Sequence, residues 1–261
     1  MTEFLARGRM AEVLSWGEGL VLKWFFPEFP SAHARHEASV TDAVNRAGGR
    51  APAIVDVIEW QGRPAIVMER IEGTSLMDVA LNGSEEAIDL VGRIMARLHQ
   101  AIHRLPVGGE INLPQLVDKT ARSLEAAPLD ATVRAGLLAE LDRRPSGRSI
   151  CHGDLHPGNI LLQDGEAVAI DWIGASLGSP HADVARTLLL LRAHRRGEEP
   201  DLIRRARLVA DRYLSAYTDN NVALVEQIEA WLPILAGARL DENIDDEEDY
   251  LIETASRTQA T

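Results

Sequence analysis

Two carboxylates and a carboxamide gather in the third quarter of the chain. Asp154 and Asn159 lie within His152-Gly153-Asp154-Leu155-His156-Pro157-Gly158-Asn159, and Asp171 follows in Ile170-Asp171-Trp172. Such a set suits magnesium, which takes oxygen ligands, draws one or two from protein and leaves its other positions to phosphates and water. Asn159 and Asp171 meet that requirement. Asp154 is then free to accept a hydrogen bond from an attacking hydroxyl and orient it toward phosphorus. The chemistry on offer is magnesium-dependent phosphoryl transfer.

That chemistry needs elements that hold the three side chains together. Pro157 and Gly158 forbid regular helix, so a tight loop can present Asp154 and Asn159 to one site. Ile160-Leu161-Leu162 and Ala167-Val168-Ala169-Ile170 flank Asp164-Gly165, a strong hairpin signal that returns Asp171 beside Asn159. Ile150 and Cys151 predict a buried strand just before the loop. Far upstream, Gly19-Leu20-Val21-Leu22-Lys23-Trp24-Phe25 carries a single lysine in an apolar strand, costly to bury unless the ammonium has an anionic partner. A helix-compatible segment from Ser31 to Arg46 supplies two candidates, Glu37 and Asp42. Ile54 to Trp60 and Pro64 to Glu69 read as strands joined through Gln61-Gly62-Arg63.

The wording HGDLHPGNIL followed by IDW resembles the aminoglycoside phosphotransferase family, whose members have a protein-kinase-like fold. Protein kinases read H-R-D with Asn five residues after Asp, then D-F-G. Here Gly153 replaces the arginine, and Trp172-Ile173 replace Phe-Gly, which favours the small-molecule kinases of the superfamily. The resemblance implies an α+β, bilobal protein-kinase-like fold with a small, mainly β N-lobe and a larger helical C-lobe. A nucleotide-binding lobe is expected over 1–72, and a catalytic and substrate-binding lobe over 73–261. Lys23 would hold the nucleotide phosphates with Glu37 as its partner and Asp42 as the fallback. The segment Val67 to Gly73 resembles a hinge, in which the carbonyl of Glu69 and the amide of Ile71 would bond the adenine edge, with Met68 behind. The implied cofactors are ATP, with GTP as the alternative, and Mg2+.

Other positions fit less closely. The loop Ala6 to Val13 has one glycine instead of the G-x-G-x-x-G of protein kinases, yet by resemblance it covers the nucleotide. His156 stands where protein kinases commonly carry a lysine; it either donates to phosphate or bonds the loop backbone. His152 reads as structural. Asp183 sits near a helix start, where a carboxylate accepts backbone donors, and the resemblance makes it a support for the catalytic loop.

Composition bounds the rest. At 261 residues and 46% hydrophobic, the chain suits one two-lobed unit. Helices are expected over Thr74 to Ala80, from Ser84 to Leu105, Leu113 to Ala127, Asp130 to Arg144, Ala182 to Arg195, Pro200 to Thr218 and Asn221 to Leu240. The lone Cys151 excludes an intrachain disulfide. No run of eighteen apolar residues occurs, so no membrane partner is expected and the cytoplasm is the default location. With 27 basic and 40 acidic residues the formal charge is -13, which disfavours nucleic acid and mildly favours a cationic acceptor. The acidic run Asp241 to Asp249 reads first as a solvated tail and second as a contact for ammonium groups.

The expected function is an ATP- and magnesium-dependent kinase acting on a small-molecule hydroxyl. An aminoglycoside is one candidate acceptor; choline, fructosamine, homoserine and methylthioribose kinases share much of the loop. A catalytically idle binding module would have lost a metal ligand or the strand lysine, and all are present here. Protein kinase activity is disfavoured by Gly153 and by the short stretch from Asp171 to Pro180. Oligomeric state has no signature in the chain.

Overall fold

Apolar alternation in the first 69 residues produces one antiparallel sheet. The computed structural model describes residues 2–108, 113–193 and 197–257. Strands β1 (Phe4–Arg7), β2 (Ala11–Ser15), β3 (Leu20–Phe25), β4 (Ile54–Trp60) and β5 (Arg63–Glu69) lie in the order β1-β2-β3-β5-β4. Lys23 is therefore central, opposite Val13 on one side and Ile66 on the other. Helix α1 (Ser31–Arg46) covers one face, where Ala34 and Ala38 pack with Phe25 and Ile66. On the other face Leu22, Ala65 and Val67 are sealed by Trp16, Trp24 and Trp60, whose rings meet edge-on.

Beyond residue 73 the chain is mainly helical. A short strand β6 (Thr74–Ser75) leads into α2 (Leu76–Asn82) and α3 (Glu85–His103). The expected helix over Thr74 to Ala80 thus starts late, because Thr74 and Ser75 pair with Leu162 and Leu161, and Ser75 instead caps α2 by accepting from the Met77 amide. Ser84 caps α3, whose stripe Ile88, Val91, Met95, Leu98 and Ile102 enters the main core. Next come α4 (Leu116–Ala126), α5 (Ala131–Asp142), β7 (Ser149–Cys151), the hairpin β8 (Ile160–Gln163) and β9 (Glu166–Ala169), and β10 (Ser176–Gly178).

The remaining helices are α6 (Pro180–Arg192), α7 (Pro200–Thr218), α8 (Val222–Glu229), α9 (Leu232–Arg239) and α10 (Glu248–Ser256). Arg195, the expected end of α6, lies outside the described residues. The single helix expected over Asn221 to Leu240 is two, since Pro233 has no amide hydrogen to continue a helix and sits in the first turn of a new one. Helices α3 and α7 pack along each other and α6 packs on α7, placing α3, α6 and α7 behind the strand that precedes the catalytic loop. Among the described residues, no helix is long and apolar enough to cross a membrane. The fold is a mainly β lobe joined to a helical lobe.

Candidate active site

The lysine of β3 and the hairpin of the helical lobe meet. Lys23 Nζ lies 2.6 Å from Glu37 Oε1 on α1 and 3.1 Å from Asp171 Oδ1, which is 148 positions away in sequence. Asp42 instead pairs with Arg46 on the exposed side of α1. Burial opposes the Lys23 charge, but Glu37 and Asp171 outweigh it and hold the ammonium above its usual range. For Glu37, burial dominates and pushes the carboxyl up; attraction to Lys23 offsets only part of this, Asp171 adds repulsion, and the result is about 7. Burial also raises Asp171, yet Lys23 and two histidines hold it below the usual range. One cation thus serves two carboxylates, of which the buried one takes up a proton more readily.

The catalytic loop orders itself around its own side chains. A one-turn helix at Pro157–Asn159 turns Asn159 back, so its amide nitrogen donates to the backbone oxygen of Asp154 at 2.9 Å and to Asp154 Oδ2 at 3.1 Å. These bonds leave the carbonyl oxygen of the Asn159 side chain unused, and Asp171 has one carboxylate oxygen beyond the one facing Lys23. That pair of oxygen donors fits a hard divalent cation. His156 Nδ1 accepts from the Gly158 amide at 3.1 Å, so it holds the loop backbone.

His152 ties the loop to the hairpin. Its Nε2 is 3.1 Å from the Ile170 carbonyl, which can only accept, so Nε2 carries the hydrogen and Nδ1 accepts from the Asp154 amide at 3.3 Å. The backbone at Asp154 and the residue before Asp171 are thereby linked through one buried ring. Gly153 is required for the same geometry: its φ is +79°, and a Cβ there would sit 2.4 Å from the Gly174 carbonyl. No side chain, arginine included, fits.

The hinge segment follows β5. The Glu69 carboxylate accepts from the Ala53 amide at 3.0 Å, and the Arg70 amide donates to the Gly19 carbonyl at 2.9 Å. Ile71 is the next residue, between β5 and β6.

Comparison with known proteins decides the family. Residues 6–231 match the model of the phosphotransferase enzyme family. The chain belongs to that family. An aminoglycoside 3'-phosphotransferase of Streptomyces fradiae is 32% identical over 162 residues, covering 50% of this chain and 60% of the relative. The match therefore spans less than two thirds of that relative's length. Among solved structures, an aminoglycoside phosphotransferase APH(4)-Ia in complex with AMP-PNP and hygromycin B superposes with a TM-score of 0.69 at 16% identity, over 98% of this chain and 95% of the other. A choline/ethanolamine kinase family protein from Mesorhizobium loti gives 0.64 at 16% identity, over 100% and 87%. A GDP and kanamycin complex of an APH(2") enzyme gives 0.61 at 17% identity, over 99% and 92%. These similarities establish the protein-kinase-like fold.

In this phosphotransferase-family chain Asp183, expected as a support for the loop, lies behind it with His99, His103, Tyr213 and Tyr217, which sequence reasoning missed. Asp183 Oδ1 accepts from the Gly153 amide at 2.8 Å, and Oδ2 accepts from the His152 amide at 2.6 Å. Oδ2 also faces His99 Nε2 at 2.8 Å and His103 Nε2 at 3.2 Å. Burial opposes the Asp183 charge, but the two histidines and their hydrogen bonds hold its carboxyl well below the usual range. Burial, with His103 beside it, lowers His99 to about 4, so its ring is neutral near pH 7. An ionised carboxylate only accepts, so each Nε2 donates to it. His99 Nδ1 then accepts from the Tyr213 hydroxyl at 2.6 Å, and His103 Nδ1 lies 2.8 Å from the Tyr217 hydroxyl. The signal was present as two i, i+4 pairs, His99/His103 on α3 and Tyr213/Tyr217 on α7, each occupying one helix face.

Proposed function

We propose that this protein is a magnesium- and nucleotide-dependent kinase that transfers a γ-phosphoryl group to the hydroxyl of a small molecule. Asp154 orients the hydroxyl and accepts its hydrogen bond, while Lys23, steadied by Glu37, holds the phosphates. Asn159 and Asp171 would hold magnesium, which when bound neutralises charge on the phosphate oxygens. The carbonyl of Glu69 and the amide of Ile71 bind the base. Residues 1–72 then act as the nucleotide-binding lobe and 73–261 as the catalytic and substrate-binding lobe.

One observation carries the reading: Lys23 sits between Glu37 and Asp171, joining the sheet of one lobe to the hairpin of the other. An isolated surface turn at 152–159 would have no reason to meet a strand lysine. Similar structures hold AMP-PNP or GDP, which supports a nucleotide and leaves ATP as our choice, with GTP as the alternative. The test is transfer of label from γ-labelled ATP with Mg2+ to a panel of hydroxyl compounds, run beside binding of AMP-PNP. Failure to bind either nucleotide class with magnesium would sink the proposal.

A further inference from the structure

A cavity of about 100 Å³ lies directly beside the catalytic loop, between α4, the start of α6 and the end of α9. Gly153, which precedes Asp154, and Gly174, three residues after Asp171, both line it. It therefore adjoins the backbone on either side of the site, one residue from Asp154 and three from Asp171, and it has room for one small polar group.

Its charged lining is the reverse of the chain's overall charge. Lys119, Arg186 and Arg239 line it together with Glu242. Arg186 and Arg239 both bond the Glu242 carboxylate, and Arg9, from the loop between β1 and β2, reaches the same group at 3.7 Å. Burial works to raise the Glu242 carboxyl, but Arg186, Arg239 and Arg9 outweigh it and hold it below the usual range. Arg239 also pairs with Glu247 at 2.8 Å. Lys119 donates to the Gly174 carbonyl at 2.8 Å, and among the described residues no carboxylate lies within ion-pair reach of it. The other acid lining the cavity, Asp183, is already spent on the loop amides and histidines.

Arg186 and Arg239 are largely buried, with side chains 16% and 6% exposed. Glu242 and Glu247 match Arg186 and Arg239, and Asp183 serves the loop amides and histidines, so Lys119 is the lining cation that a bound anion would complete. Each guanidinium has five N–H donors, more than these contacts use. Among the described residues no aromatic ring, the surface that recognises a quaternary ammonium, lines the cavity.

We propose that this cavity receives a small oxyanion on the acceptor, a carboxylate or a phosphate ester, so that the substrate is an anionic hydroxyl compound and not a polycation. The inference rests on the phosphoryl-transfer reading and assigns the acceptor class for that same site. The acidic run at 241–249 then has a different part from the one its composition indicates: Glu242 is the internal counter-ion that keeps Arg186 and Arg239 in place. The side chain of Asp245 in that run lies outside the described residues.

Matched six-carbon polyols test this: gluconate, glucose 6-phosphate, glucose and glucosamine, each added to protein with AMP-PNP and Mg2+ and read by thermal shift. The expected result is stabilisation by one or both anions at concentrations about tenfold below those needed with glucose or glucosamine, as expected for one charge contact. The better anion identifies the oxyanion. Lys119→Gln should erase the difference and Lys119→Arg restore it. Stabilisation by glucosamine equal to or above that of the anions, or none by either anion, overturns the assignment. If AMP-PNP itself fails to stabilise the protein, the phosphoryl-transfer reading falls instead, so the two failures are told apart.

Discussion

Two charged regions flank the catalytic loop, and they solve opposite problems. On the sheet side one ammonium, Lys23, is shared by two carboxylates, Glu37 and Asp171. On the α9 side Glu242 is shared by Arg186, Arg239 and Arg9, Glu247 is a second partner of Arg239, and Lys119 has no carboxylate within ion-pair reach among the described residues. A site short of cations suits a metal bound to phosphate, whereas a site rich in them suits an anion without metal. Under the proposed function, that difference puts nucleotide and acceptor on separate walls. Asp183, which also lines the cationic cavity, fixes the loop from behind through the His152 and Gly153 amides.

The comparison holds only if that shared support is rigid, and breaking the support should give the largest effect on the fold. Asp183→Ala removes the acceptor for the His152 and Gly153 amides and for two buried imidazoles. Unsatisfied buried donors cost about 1–3 kcal/mol each, and partial relaxation leaves an expected loss of about 3–5 kcal/mol. Urea titration checks it. A loss below about 1 kcal/mol would show that the loop holds itself.

Asp154→Ala comes next and separates the two walls by function. It touches neither the Lys23 group nor the arginines, so nucleotide affinity should persist while turnover falls by roughly 10²-fold or more. Wild-type turnover in the variant would remove Asp154 from its role.

A smaller effect sharpens the sheet side. Glu37 has its folded value raised from 4.5 to about 7, so between those limits the folded state binds more protons than the unfolded. Its contribution to stability is fully present below pH 4.5 and is lost as pH rises through about 7. Lys23 is also raised, so its contribution is lost only at alkaline pH. Glu37→Gln should therefore flatten the decline between those two values, by about 3 kcal/mol across the interval. If the variant keeps the wild-type slope, the proton resides elsewhere.

How much of this could be read from the chain depended on whether the cause was local. Pro157, Gly158 and the Asp164-Gly165 turn act through their own backbone, so the loop and hairpin were legible. Lys23 stood out because a lone charge in an apolar strand requires a partner. The switch from strands to helices after Gly73 marked two lobes in the pattern, and the family resemblance named the protein-kinase-like fold they form. The His99, His103 and tyrosine network was missed because it exists only once α3 and α7 pack together. Pro233 was read as part of one helix because proline is tolerated in the first turn of a new helix as well as at a break. The acidic run misled in the same way: a count of nearby charges does not show that Arg186, more than fifty positions earlier, points at Glu242.

The least disruptive change tests whether the two walls communicate. Arg9 leaves the loop over the expected nucleotide position and donates to the Glu242 backbone carbonyl at 2.7 Å, crossing from one lobe to the other. Its side chain is 64% exposed, and exposed ion pairs contribute about 0–1 kcal/mol. Glu242 keeps Arg186 and Arg239 when Arg9 is removed, so the cationic wall survives. Arg9→Ala should therefore leave the midpoint of unfolding nearly unchanged, with thermal melts as the check. If the contact also holds the loop over bound nucleotide, AMP-PNP affinity should fall a few-fold, and the difference from wild type should shrink as salt screens the pair. A large loss of stability would instead make Arg9 part of the wall itself, and the two regions could no longer be treated as separate.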